Sequence, residues 1–248
     1  MSNPIEARTT QQEIHSMTFS VLARCERTGM FGMAIATRPI AIGAKCPFVR
    51  PKIGGLVVQA NGDPRLGALG LKLLEMGYSA EKVLKELLDS DGADNIPWRQ
   101  ISVVDKDGRT AAHTGATNEA WAGHVVRRNL VVIGNRLSND KVAQAMADGF
   151  ENADGELAHK LLASLEAGRD AGGQVAGQYS TALQVHHERS YAWVDLRVDE
   201  HDEPIAELRR IYGLYVPLIP YYQERPSNPS LPRDDDWRKE LGIQGGPR

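Results

Sequence analysis

The order in which two periodicities follow one another limits the fold of this chain more than any single motif. Residues 18–24 ("TFSVLAR") alternate, with Phe19, Val21 and Ala23 on one side and Ser20, Leu22 and Arg24 on the other. That is a strand with one dry and one mixed face. Arg27-Thr28-Gly29 supplies a turn, and the apolar run 31–37 ("FGMAIAT") completes a hairpin. Residues 38–55 are punctuated by Pro and Gly before a third strand at 56–60. Helical spacing then takes over: Leu66, Leu69, Leu73, Leu74 and Met76 run up to Gly77, and Val83, Leu84, Leu87 and Leu88 follow a Ser79 cap. "ISVVDKDGRTAAHTG" predicts a hairpin around Asp105-Lys106-Asp107-Gly108, and "HVVRRNLVVIG" a strand that buries Val131, Val132 and Ile133. A second helix pair is expected over 138–152 and 156–168, strands over 180–187 and 191–198, and a helix over 204–212 with Pro204 in its first turn. Strands and helices thus come in blocks, which argues for α+β layering rather than βαβ alternation. Two facing sheets with helix pairs outside would bury every apolar face described.

At 248 residues the chain has ample length for a sizeable core. We divide it into a polar arm over 1–17, one domain over 18–214 and an extended, Pro-rich arm over 215–248. The last segment carries Leu218, Ile219, Tyr221, Tyr222 and Trp237, too apolar for a purely disordered tail. It is expected to pack on its own domain or on a neighbouring subunit, so a homo-oligomer is expected. A formal charge of -3 argues against a nucleic-acid surface. Two cysteines, Cys25 and Cys46, make no disulfide framework and fit a reducing compartment. No run reaches the roughly 18 apolar residues of a membrane span, and residues 1–16 lack the apolar core of a signal peptide. The expectation is a cytoplasmic protein with a small-molecule substrate and neither metal nor cofactor. "GRDAGGQVAG" lacks the strand and helix that a dinucleotide site needs. His186 and His187 point to opposite faces of one strand, and His201 among Asp199 and Asp202 reads as a helix cap.

"TFSVLAR", "GMAIATR", "VRPKIGGLVVQA", "VVDKDGRTAAHTG", "WAGH", "IGN" and "DLRVDEHDEPIAELRR" follow one another in an order that resembles the DUF1028 family. That family is placed in the N-terminal nucleophile (Ntn) hydrolase-like superfamily. The resemblance implies a four-layer αββα sandwich of two mostly antiparallel sheets. It implies no known reaction, since fold does not fix function. In the superfamily the first residue of the processed chain, Thr, Ser or Cys, is the nucleophile and its own α-amine the general base. An amine with a pKa of roughly 8 suits that task.

The resemblance makes Thr18 the candidate nucleophile. The role needs a free amine, from initiation at Met17 and Met removal or from cleavage after Met17; otherwise Thr18 simply begins a strand. Arg50, in "VRPKIG", lies close to where proteasome-like Ntn enzymes carry a catalytic lysine, and could stabilise charge but not relay protons. Arg38, after "GMAIAT", has the same reading or that of an ion pair. His113 and His124 are candidates for proton transfer or substrate contact. Trp121 is a candidate pocket wall. Asn135, after a buried strand, is a candidate oxyanion or substrate-carbonyl donor, and Asn61 is another donor.

The leading expectation is a hydrolase of C–N bonds in small molecules, an amidase or hydrolytic deaminase, with Thr18, Arg50, His113 and Asn135 as catalytic residues. Arg38, Asn61, Trp121 and His124 would bind substrate. One alternative retains the arm and activates water through His113 or His124. The other is a non-catalytic binding or scaffold protein on the same fold.

Overall fold

The computed structural model describes residues 17–242. The expected N-terminal arm, apart from Met17, and the last six residues lie outside the described residues. Ten strands and seven helices follow in the expected blocks: β1 (Thr18–Arg24), β2 (Phe31–Thr37), β3 (Pro47–Arg50), β4 (Gly54–Ala60), α1 (Pro64–Glu75), α2 (Ala80–Asp91), β5 (Arg99–Asp105), β6 (Thr110–Thr114), β7 (Gly123–Arg127), β8 (Leu130–Asn135), α3 (Val142–Asn152), α4 (Leu157–Asp170), β9 (Ser180–His186), β10 (Val194–Val198), α5 (Pro204–Tyr215), α6 (Ile219–Glu224) and α7 (Asp234–Glu240).

A six-stranded sheet runs β10-β9-β2-β1-β8-β7 and a four-stranded sheet β3-β4-β5-β6. Every strand pairing is antiparallel. Helices α1 and α2 cover the smaller sheet, and α3, α4 and α5 the larger, so the molecule is an αββα sandwich. Period-2 alternation divides the apolar residues between layers. On β1, Phe19, Val21 and Ala23 join Met146, Leu161 and Leu165 under the helices. Leu22 instead meets Phe31, Met33, Ile35, Val57, Val104 and Val131 between the sheets. A third core packs Leu66, Leu74, Val83 and Leu87 of α1 and α2 onto Leu56, Ile101 and Val103.

Local chemistry explains the boundaries. The Asp63 side chain accepts the Arg65 amide to open α1, with Pro64 in its first turn, and Ser79 accepts the Lys82 amide to open α2. The Asp105 carboxylate takes the Asp107 and Arg109 amides, closing the β5–β6 turn, and also takes the Ala80 amide at the start of α2. His201 Nδ1 accepts the Glu203 amide just ahead of α5, consistent with its reading as a cap.

Two sequence expectations are corrected. The Pro- and Gly-rich 38–55 segment contains β3, an edge strand beginning on a proline. The described part of the C-terminal segment, 215–242, carries α6 and α7 rather than running extended throughout. Pro217 and Pro220 fall in first turns, where an amide hydrogen is not needed, and Pro226, Pro229 and Pro232 lie between α6 and α7. Ile219 enters the core under the helices, and Tyr221 is buried against Tyr222 and Trp237. No helix among the described residues is long and apolar enough to cross a membrane.

Candidate active site at the start of β1

Strand β1 lies between β2 and β8, and the register sets Thr18 opposite Thr37 on one side and Asn135 on the other. Paired residues share a face, so the Thr18 side chain points into the layer between the sheets with Ser20 and Leu22. Thr18 is fully buried. Its Oγ1 lies 2.9 Å from Thr37 Oγ1. The Thr37 hydroxyl donates to the carbonyl oxygen of Met17, which also receives the Arg38 amide at 3.2 Å. Thr37 has one hydroxyl proton, so Thr18 is the donor within the threonine pair. The Thr18 nitrogen donates to Asn135 Oδ1 at 3.2 Å. With Met17 attached this nitrogen is an amide and has no basic lone pair.

Carboxamides fill the layer around Thr18. Gln59 of β4 accepts the Ser20 hydroxyl at 2.7 Å, and its Nε2 donates to the Thr18 carbonyl at 3.4 Å and to Gln100 Oε1 at 2.7 Å. Gln100 Oε1 also accepts Asn135 Nδ2 at 2.9 Å. Gln59, Gln100 and Asn135 are each almost wholly buried. Buried carboxamides persist because their donors and acceptors are matched.

A crevice opens beside Asn135, lined also by Asn61, Trp98, Thr117, Asn118, Glu119 and Arg136. Arg136 pairs with Glu119 at 2.9 Å. Ala60, the last residue of β4, and Arg136, directly after β8, take left-handed backbone conformations with φ of 65° and 49°. Such residues cost of order 1–3 kcal/mol each and collect at ligand sites.

The structure brings some of the expected residues together and separates others. Asn135 is beside Thr18, but its role changes. Its NH2 is committed to Gln100 and its oxygen faces the Thr18 nitrogen, so it is an acceptor there and not an oxyanion donor. Arg38 supplies its backbone amide to the Met17 carbonyl, while its guanidinium donates to the Ala176 carbonyl at 2.6 Å and lies over the Tyr179 ring. Asn61 lines the crevice, with its carbonyl held by Arg99. His124 is bonded to Thr114 at 3.0 Å, and Thr114 accepts from Gln100. Burial, then the neighbouring His113, holds the His124 imidazole below its ordinary pKa.

Three readings fail on geometry. Arg50 ends β3 opposite Gly54, five residues along β4 from Gln59, which is about 16 Å at the rise of a strand. Its field reaches His186, whose partner Phe31 lies at the far end of β2 from Thr37. His113 alternates with Thr114 and therefore faces away from the inter-sheet layer, with Nε2 on the Ile96 carbonyl. Trp121 packs into the core under the helices and over Gly123, where a Cβ would come within 2.6 Å of the indole. That contact explains the glycine in "WAGH".

Sequence reasoning passed over Thr37, Gln59, Gln100 and Thr114. Gln59 and Gln100 were legible in principle. Each interrupts or opens an apolar strand ("LVVQA", "RQISVV"), and a carboxamide carried inward must find partners. Among the described residues no group of three or more His, Cys, Asp or Glu side chains is placed to hold a metal ion.

Residues 18–208 match the model of the family of unknown function DUF1028, beginning at the same Thr18. The crystal structure of protein SPO2555 from Silicibacter pomeroyi, described by the same family model, is 30% identical. It aligns with a TM-score of 0.72 over 80% of this chain and 89% of that one. Anbu (ancestral beta-subunit) from Yersinia bercovieri aligns over 87% of this chain and 98% of that one, at 14% identity and a TM-score of 0.42. No curated protein matches. The family match spans most of the chain and the SPO2555 alignment most of both proteins, so this chain belongs to the DUF1028 family.

Proposed function

We propose that this protein is an amide hydrolase whose nucleophile is the Thr18 hydroxyl, with the Thr18 amine released by scission of the Met17–Thr18 bond. One observation carries the reading. The Met17 carbonyl oxygen receives two donors, the Thr37 hydroxyl and the Arg38 amide, while the Thr18 hydroxyl is hydrogen-bonded to that same Thr37. Two donors on one carbonyl oxygen beside a hydroxyl nucleophile form the arrangement that stabilises a tetrahedral oxyanion.

For scission, Thr18 Oγ1 adds to the Met17 carbonyl carbon. Its proton passes to Thr37 as Thr37 gives its own to the carbonyl oxygen. The C–N bond then breaks as the carbonyl re-forms, and the proton given to the carbonyl oxygen passes to the Thr18 nitrogen, which leaves as an amine. The resulting ester is cleaved by water, which restores the hydroxyl and releases the preceding segment as a carboxylic acid. Thereafter the place of the Met17 carbonyl is open to a substrate carbonyl, and the amine serves as the base for the hydroxyl. A carbonyl-centred site favours an amide over a deaminable amine, because only the amide develops an oxyanion for the two donors. Water activation by His113 has no comparable support, since that ring is bonded to Ile96 on another face.

Intact-mass spectrometry of the full chain tests this directly. The expected product begins at Thr18, and a panel of small amides then gives turnover that Thr18→Ala abolishes. A chain that keeps the Met17–Thr18 bond in every molecule sinks the free-amine mechanism, and turnover surviving Thr18→Ala would move the chemistry to another residue.

A further inference from the structure

We propose that Gln100 is a positioning residue that decides which end of the Asn135 carboxamide faces Thr18. The inference rests on Thr18 as the reacting residue and goes beyond that reading by naming the group that orients its nitrogen. Gln100 lies on β5 of the smaller sheet and acts only through Asn135 and Gln59.

Which groups can donate fixes the direction of each carboxamide. Gln100 Nε2 faces the carbonyl oxygens of Gly134 at 2.8 Å and Gly123 at 3.2 Å, both on the larger sheet, and Thr114 Oγ1 at 3.0 Å. A backbone carbonyl only accepts, so the NH2 end of Gln100 must lie there. Its Oε1 is thereby fixed between Gln59 Nε2 at 2.7 Å and Asn135 Nδ2 at 2.9 Å. An amide oxygen also only accepts, so Asn135 must turn its NH2 toward Gln100 and its oxygen toward the Thr18 nitrogen. The same logic turns Gln59, whose NH2 reaches Gln100 and the Thr18 carbonyl while its oxygen takes the Ser20 hydroxyl.

The orientation of three buried carboxamides is therefore one property, not three. It is written by two backbone carbonyls of β7 and β8 and read out at Thr18. Reversing any one amide would set NH2 against NH2 or oxygen against oxygen in a layer without room for compensation. An acceptor held at the Thr18 nitrogen secures the amide hydrogen before scission. After scission it holds one N–H of the amine and favours the charged form. His124, bonded to Thr114, is the titratable side chain this frame touches.

The test uses the full chain with Gln100→Leu, which removes both ends, and Gln100→Glu. The glutamate keeps an oxygen for Gln59 and Asn135 but can donate toward Gly134 or Gly123 only when protonated. Where Met17 is still attached, hydrogen exchange by NMR reads the Thr18 amide. Gln100→Leu is expected to speed Thr18 exchange about tenfold or more, with β1–β8 ladder amides such as Leu22 and Val131 within about twofold of wild type. Where the chain begins at Thr18, the 15N titration of its amine is expected to shift down by about one pKa unit in Gln100→Leu. Gln100→Glu presents an acceptor oxygen to Asn135 and Gln59 in either ionisation state and should keep the Thr18 signal within about twofold of wild type wherever it folds. An unchanged Thr18 signal in folded Gln100→Leu overturns the proposal, as does loss of protection along the whole ladder, which would mark a purely structural residue. If Gln100→Leu does not fold, loss of the Thr18 signal in folded Gln100→Glu, which still offers Asn135 an acceptor, overturns it. Wild type that neither cleaves nor turns over amides would defeat the hydrolase reading alone, because the exchange measurement needs neither.

Discussion

The two ends of the layer between the sheets are built from opposite materials on the same strands. Reading β1 inward from its start gives Thr18, Ser20, then Leu22; β4 changes from Gln59 to Val57, and β5 from Gln100 through Ser102 to Val104. At the Thr18 end every one of these side chains is buried and polar, and they bond to one another. At the other end Leu22, Phe31, Met33, Val57, Val104 and Val131 form an apolar cluster, bordered by Arg24 and His186, the strand partners of Phe31. Matched buried polar groups contribute little net free energy but punish any loss of a partner, whereas buried apolar area stabilises steadily. One half of the layer therefore supplies stability and the other a defined geometry. Ser102, at the boundary, has a buried hydroxyl with no hydrogen-bond partner among the described residues.

Substitutions that cross this division give the sharpest tests. Thr18→Ala is expected to reduce both scission and amide turnover by roughly three orders of magnitude or more while changing stability little, by mass spectrometry, kinetics and urea unfolding. Leu22→Ala should do the reverse. It empties a fully buried site and is expected to cost about 2–5 kcal/mol in urea unfolding, with scission unaffected in the molecules that remain folded. Thr37→Val keeps the shape but removes a donor from the Met17 carbonyl, so scission should slow by about a hundredfold, at a cost of about 1–3 kcal/mol in urea unfolding for the lost buried partner. If Leu22→Ala stops scission in folded protein, or Thr37→Val unfolds the chain without slowing it, the division into halves is wrong.

The same contrast explains what could be read from the sequence. Apolar periodicity places strands and helices, and it located both helix pairs and the β1–β2 hairpin because their cores are apolar. It is silent on polar residues turned inward. Ser20 and Thr37 look like ordinary solvent-facing residues, and while Gln59 and Gln100 stand out in apolar runs, only the second sheet lying across them supplies the partners that make that face an interior. The family resemblance singled out Thr18, and Asn135 in "IGN" was singled out as a donor, a role its amide, turned to Gln100, does not take beside Thr18. Arg50 misled for the converse reason. Its distance from Thr18 along the chain resembles that of a catalytic cation, but β3 and β4 are antiparallel and carry it to the opposite end of the layer.

Arg50→Ala is consequently the smallest expected effect and the most direct check on the far end. At neutral pH it should change stability by no more than about 0.5 kcal/mol, as for other exposed residues, and leave scission rates unaltered. Its trace should appear only in acid. His186 is buried with Nδ1 unpartnered among the described residues, and burial pushes its pKa down. Asp195 opposes that shift and Arg50 adds to it. The unfolded imidazole has a pKa of about 6.5, above the folded one. In the interval between the two values the unfolded chain binds more protons, so stability is full above about pH 6.5 and is lost as pH falls through it toward the folded value. Removing the Arg50 guanidinium raises the folded value and narrows that interval. The drop in urea midpoint between pH 7.5 and pH 5 should thus be smaller in Arg50→Ala than in wild type, by an increment that vanishes when His186 is also replaced by Asn. A tenfold fall in scission or turnover on Arg50→Ala would return that residue to the reacting end and break the contrast; an unchanged acid response would sever Arg50 from His186.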